Sequence, residues 1–128
     1  MKEFDTLADL SRVQAREFPN AKALIFRNEI ITYQQLDKES ARVANALLAQ
    51  GIKARARVAI LAKDSLKSYE ILFACAKIKA VLVPINWRLA ASEVSYILND
   101  AEVELLFVGS EFHDLVKSIE SELTNIKT

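Results

Sequence analysis

Glycine is almost missing from this chain. Gly51 and Gly109 are the only two in 128 residues, and loops that cradle phosphate need glycine so that backbone N–H groups can close on the anion. The sequence accordingly holds neither a G-x-G-x-x-G run nor a Walker motif. Gly109-Ser110 lies at an expected strand-to-helix junction where an anion could sit, but a plain turn with Ser110 as cap is the better account of it. Cys75 is the only cysteine, which excludes an internal disulfide and fits a reducing compartment. With His113 as the only histidine, a Cys/His metal site cannot reach three or four ligands. A Cys75–His113 nucleophilic pair lacks an Asn or Asp placed to orient the histidine, and Cys75 lies in an apolar helical stretch, so it reads as a small buried hydrophobe. Seventeen basic residues balance seventeen acidic ones, without the basic excess or stripe of a nucleic-acid binder. The longest apolar run, Ile71–Ala76, falls far short of the roughly 18–20 residues of a membrane span. The opening MKEFDTLADL has no apolar core of the signal-peptide kind, so the expected compartment is the cytoplasm.

What is present is an ordinary globular composition, 52% hydrophobic and 27% charged, in a length that suits one domain. Thr6 caps a predicted helix running to about Phe18, where Pro19 ends it. Ala23–Phe26 and Glu29–Thr32 read as a small hairpin through Arg27-Asn28. Thr32 and Gln35 form a capping box, and the helix after it places Leu36, Ser40, Val43, Ala44, Leu47 and Leu48 on one face until Gly51 closes it. From Arg57 the pattern becomes regular. Strand Arg57–Ala62 leads to a helix over Ser65–Ile78 capped by Asp64. Strand Ala80–Ile85 leads to a helix over Ser92–Asn99 with Val94, Ile97, Leu98 and Ala101 inward. Strand Glu102–Val108 precedes a last helix, capped by Ser110, with Phe112, Leu115, Val116, Ile119 and Leu123 in register. Alternation of this kind predicts right-handed crossovers and a parallel sheet. Glu120–Glu122 reads as solvated helix surface.

The stretch Lys79–Leu89, KAVLVPINWRL, draws the most attention. Ala80–Ile85 has the pattern of a strand buried on both faces, with Pro84 stopping the ladder. Asn86-Trp87-Arg88 then leaves at the carboxyl end, where open α/β sheets place ligands. One reading of Trp87 and Arg88 is a packed loop tryptophan beside a surface arginine; the other uses the guanidinium as a phosphate clamp.

Five segments, in order and at matching spacing, resemble the adenylate-forming acyl-CoA synthetases. They are Ala23–Phe26 with Ile31–Leu36, then Ala44–Gly51, Arg57–Leu61, Lys79–Leu89 and Glu93–Asp100. The resemblance implies a three-layer α/β fold with a mainly parallel sheet and flanking helices, preceded by a small helix and hairpin. It implies that residues 1–128 are a single domain, truncated from the N-terminal part of the large domain of a fatty-acid–CoA ligase. Such enzymes form an acyl-adenylate from a carboxylic acid and ATP, release pyrophosphate, and pass the acyl group to CoA. The residues that do so lie further along the complete enzymes, so no catalytic or metal-binding residue is expected here. The chain by itself is expected to be an inactive scaffold that binds no cofactor, with ATP, Mg²⁺ and CoA serving the complete enzyme. One contact carries over: Arg88, in the family's Asn-x-Arg-Leu, implies an approach to the phosphate-bearing nucleotide end of CoA. The chain departs from the family's glycines at Arg27, Arg55 and Lys79, which are turn and cap positions. Exposed edges imply self-association of the isolated chain. The competing reading is a stand-alone Rossmann-like binding or interaction module without catalysis.

Overall fold

The computed structural model describes residues 5–126. In chain order the elements are α1 (Leu7–Glu17), β1 (Lys22–Phe26), β2 (Glu29–Thr32), α2 (Tyr33–Ala49), β3 (Arg57–Leu61), α3 (Leu66–Lys77), β4 (Val81–Pro84), α4 (Ala91–Asp100), β5 (Val103–Val108) and α5 (His113–Ile119). The architecture is mixed α/β, with a parallel three-stranded sheet and flanking helices, as expected. Two compact units are present. The first joins the residues up to Lys53 with Ser65–Lys79, and the second joins Ala54–Asp64 with the residues from Ala80 on. No helix among the described residues is long and apolar enough to cross a membrane.

In the first unit, Thr6 caps α1 by accepting from Asp9 N–H at 3.1 Å, and β1 and β2 form the expected antiparallel hairpin. The capping box of α2 is complete: Gln35 N–H donates to Thr32 Oγ1 at 3.2 Å, and Thr32 N–H donates to Gln35 Oε1 at 2.9 Å. Gly51, at φ 84, closes α2. Its N–H donates to Leu48 O at 3.0 Å and Ile52 N–H donates to Leu47 O at 3.1 Å, the paired bonds of a Schellman end. Leu36, Ser40, Ala44 and Leu47 are buried as the stripe requires, but Leu48 is 53% exposed and lies outside it. Ser65, not Asp64, caps α3, because its extended backbone aims Oγ at Ser68 N–H, 3.4 Å away. Asp37 ties the three helices together, accepting from Ser11 Oγ at 3.4 Å and Lys77 Nζ at 2.6 Å. The buried carboxylate of Glu70 has Lys67 Nζ 3.2 Å from Oε2.

In the second unit the strand order is β4-β3-β5, all parallel. The strand buried on both faces is therefore β3, with Val58, Ala59 and Leu61 wholly covered. β4 is an edge strand, and Val81 is 46% exposed; the expectation of two buried faces for that stretch fails because sheet order, not apolar content, decides which strand is central. β4 and its register with β3 end at Pro84, as expected, with Ile85 N–H making one last bond to Ile60 O at 2.9 Å. Ala59, Leu61 and Val103 meet Val94 and Leu98 of α4 and Ile119 of α5 in one core cluster. The last helix is shorter than expected: a 3₁₀ turn over Ser110–Phe112, then α5, then a second 3₁₀ turn over Glu120–Glu122. Ser110 lies inside the first turn and makes no side-chain cap bond. Asn99 of α4 anchors the segment beyond α5, donating to Glu122 O at 2.9 Å and accepting from Thr124 N–H at 3.1 Å.

Four non-glycine residues have positive φ: Arg27 at 54°, Arg55 at 71°, Lys79 at 60° and Glu102 at 52°. The first three are the positions where the family's glycines are replaced, and the last three lie just before β3, β4 and β5. Each helix-to-strand link thus turns through the left-handed region on a charged side chain.

Candidate functional site at the carboxyl edge of the sheet

Because the three strands are parallel, their carboxyl ends share one edge. Lys63 follows β3, Asn86–Arg88 follows β4, and Glu111 and Phe112 follow β5. Asn86 shapes its loop by accepting from Arg88 N–H on Oδ1 at 3.0 Å, while its carbonyl accepts from Leu89 N–H at 3.1 Å. That turn presents Trp87, half-buried, against the core cluster. The Phe112 ring centroid is 6.2 Å from that of Trp87, tilted by 41°, within the range of favourable aromatic pairs.

Two cations stand by the same indole. The Arg88 guanidinium carbon is 4.5 Å from the ring centroid and Lys63 Nζ is 4.9 Å from it, both inside cation–π range. Lys63 also pairs with Glu111 Oε2 at 3.1 Å. Arg88 is exposed, and no carboxylate among the described residues is paired with its guanidinium. The edge therefore carries one compensated and one uncompensated positive charge around an aromatic platform, a chemistry suited to an anionic, phosphate-bearing ligand.

The other sequence candidates fall away. Gly109 N–H is spent on Leu61 O at 2.8 Å, and a Cβ at Gly109 would lie 3.1 Å from Ala62 Cβ; this glycine serves close strand packing, not an anion. Cys75 is buried in α3, and burial pushes its thiol up to about 11. His113 is exposed at the start of α5. No group of three or more His, Cys, Asp or Glu among the described residues could hold a metal ion. Sequence reasoning finds Trp87 and Arg88 but misses Lys63 and Glu111. The rule that points to strand carboxyl ends, applied to β3 and β5 as well, would have found both.

An open groove lies beside the site's own helix, lined by Leu89, Ser92, Glu93, Tyr96 and Ile97. A second, in the first unit, is lined by Arg12, Arg16, Asp37 and Lys38 among others. There Asp9 holds Arg12 at 2.8 Å and Lys77 holds Asp37 at 2.6 Å.

Comparison with known proteins places these features. The chain is 44% identical over 117 residues to the fatty acid–[acyl-carrier-protein] ligase ScoC of Streptomyces coeruleorubidus, covering 91% of this chain and 22% of that protein. It is 37% identical over 92 residues to the long-chain-fatty-acid–CoA ligase FadD13 of Mycobacterium tuberculosis, covering 72% of this chain and 18% of that protein. This chain thus spans about a fifth of the length of these relatives. Among solved structures, the anthranilate CoA ligase AuaEII in complex with anthranoyl-AMP superposes with a TM-score of 0.90 at 28% identity, over 98% of this chain and 24% of that one. The inhibitor-bound N-terminal domain of FACL13 from Mycobacterium tuberculosis superposes with a TM-score of 0.88 at 30% identity, over 96% of this chain and 33% of that one. A family model described as AMP-binding enzyme matches residues 11–128. The chain belongs to the AMP-binding enzyme family.

Proposed function

We propose that this chain is the N-terminal part of the large domain of an ATP-dependent carboxylic acid ligase, with a fatty acid as substrate, that forms an acyl-adenylate and passes the acyl group to a phosphopantetheine thiol. What supports the substrate class is the 44% identity to a fatty-acid ligase across 91% of the chain. Within that enzyme these residues act as scaffold. They build the first parallel sheet and bring its carboxyl edge, with Arg88 and Trp87, to the acceptor. ATP and magnesium we assign to sequence other than this, since the chain has no glycine-rich loop and its described residues hold no cluster of three or more metal-ligating side chains. The cytoplasm, where a lone thiol such as Cys75 stays reduced, is the compartment we assign.

The observation that carries the acceptor assignment is the exposed Arg88 guanidinium, 4.5 Å from the Trp87 centroid and without a carboxylate partner among the described residues. In the complete protein, Arg88→Ala should raise the KM for the acceptor several-fold and leave fatty-acid-dependent ATP–pyrophosphate exchange unchanged, because only the second half-reaction loses a phosphate contact. An equal fall in both would make Arg88 a structural residue. The 128-residue chain alone should show no exchange. Absence of exchange in the complete protein, across fatty and aryl acids, would return the chain to the class of binding modules without catalysis.

A further inference from the structure

We infer that the amino edge of the parallel sheet, at the opposite end of the strands from the candidate site, is a docking surface for an acidic helix of a partner protein. The inference does not depend on the ligase reading, because it involves none of the residues assigned to the acceptor.

Sheet order decides which charges meet there. Arg57 of β3 is the register partner of Val81 in β4 and of Val103 in β5. Arg55 and Lys79 each lie two residues before the Arg57–Val81 pair, and Glu102 lies one residue before Val103. In the order β4-β3-β5 the row therefore reads Lys79, then Arg55 with Arg57, then Glu102. All four residues are exposed. Glu102 stands 3.9 Å from Arg57, and no carboxylate among the described residues pairs with Arg55 or Lys79. The links themselves supply no counter-charge, since the chain has no acidic residue from Ser40 to Lys63 or from Ile71 to Ser92. Arg55 and Lys79 also hold left-handed backbone, φ 71° and 60°, where glycine is less strained. A cation kept there at a cost in stability points to a use. Neighbouring strands lie about 4.8 Å apart, and residues at i and i+4 of a helix have Cβ atoms about 5–6 Å apart. Two glutamates one turn apart on a helix therefore match Arg55 and Lys79 together. Glu102 closes the row with the opposite sign and repels any further anion, so a short acidic face fits this edge better than a uniformly anionic bilayer.

The experiment titrates the isotope-labelled chain with two peptides of equal charge, both held helical by side-chain lactams, and follows backbone amide shifts by NMR. One peptide carries its glutamates at i and i+4 along a single face; in the other they are spread round the helix. The one-face peptide should bind several-fold more tightly and shift the amides of Arg55, Arg57 and Lys79. Arg55→Ala and Lys79→Ala should each weaken it about twofold to fivefold, and added salt should erase the difference between the peptides. Glu102→Gln should tighten binding, because it removes the repulsion and frees Arg57. Lys79→Gly should bind as weakly as Lys79→Ala while unfolding no more easily than the parent, which separates docking from folding. Equal affinity for the two peptides overturns the proposal, as do weaker binding by Glu102→Gln and shifts confined to the carboxyl edge. Vesicles of phosphatidylcholine with phosphatidylglycerol that strip the peptide from the chain would make the occupant a lipid surface and overturn it too. The same titration on the complete protein tests the remaining occupant. Binding retained there supports a partner protein; binding lost there means that the protein's own further sequence covers this edge, and the proposal falls.

Discussion

Replacing Lys79 by glycine should make the protein more stable. Lys79 follows the end of α3 at φ 60, in the left-handed region, where a Cβ crowds the following carbonyl at a cost of roughly 1–2 kcal/mol. The main-chain arrangement itself is sound: Lys79 N–H donates to Ala76 O at 3.2 Å, a bond that closes the helix. The lysine side chain is exposed and has no ion-pair partner among the described residues, so shortening it forfeits no contact with them. Against the relief stands glycine's extra freedom in the unfolded chain, about 0.5–1 kcal/mol. The net expectation is a gain of about 0.5–1 kcal/mol, or roughly 2–4 °C in Tm at this chain length. The assay is urea denaturation followed by Trp87 fluorescence, with Lys79→Ala as control. Alanine keeps the Cβ and should gain nothing, which separates backbone relief from loss of charge. A Lys79→Gly midpoint at or below that of the parent refutes the reasoning, as does an equal gain from Lys79→Ala. Arg55→Gly should behave like Lys79→Gly, whereas Arg27→Gly and Glu102→Gly should gain less. Arg27 gives up its position over the Phe26 ring and Glu102 its contact with Arg57.

The N-terminus of α4 has half a capping box, with Ala90 N–H donating to Glu93 Oε1 at 3.1 Å and no side chain at Ala90 to cap in return. Ala90→Ser should therefore add about 0.5–1 kcal/mol in the same denaturation assay. Cys75 should resist thiol reagents at pH 8 until the chain unfolds. Its thiol titrates at about 11 in the fold against an ordinary value of 9.0, so between these values the unfolded state has released a proton that the native state keeps. Stability then falls as pH rises through that window, by up to about 1.4 kcal/mol per unit from this group, and the difference between parent and Cys75→Ala curves should show it. The isolated chain should also self-associate, since Ile25, Ile30, Phe18 and Val81 are 65%, 49%, 58% and 46% exposed. A strictly monomeric sedimentation profile at high concentration would argue against this.

Local chemistry is legible in the sequence wherever a single side chain decides the backbone. Thr6, Thr32, Gln35, Gly51 and Pro19 mark helix ends because each satisfies, or cannot supply, a particular hydrogen bond, and the half-capped Ala90 is read the same way. The order of strands is not legible. VLVP of β4 and VAIL of β3 are equally apolar, and only pairing distinguishes an edge strand from a central one. The site shows the same division. Trp87 and Arg88 lie within one motif and can be found together. Lys63 and Glu111 look like ordinary surface charges until the β4-β3-β5 order brings Lys63 over the indole and Glu111 to Lys63.

The central place of β3 also has a consequence in time. Val58 pairs with Leu82 and Ala59 with Leu106, partners about 24 and about 47 residues further along the chain. A ribosome adding about 5–20 residues per second needs roughly 2–10 s to deliver the second of them. Through that interval the most deeply buried strand of the sheet has emerged with an edge still open. Until β5 arrives, the nascent protein is at its most vulnerable to pairing with another copy of itself, and chaperone occupancy during translation should peak between the emergence of β3 and that of β5.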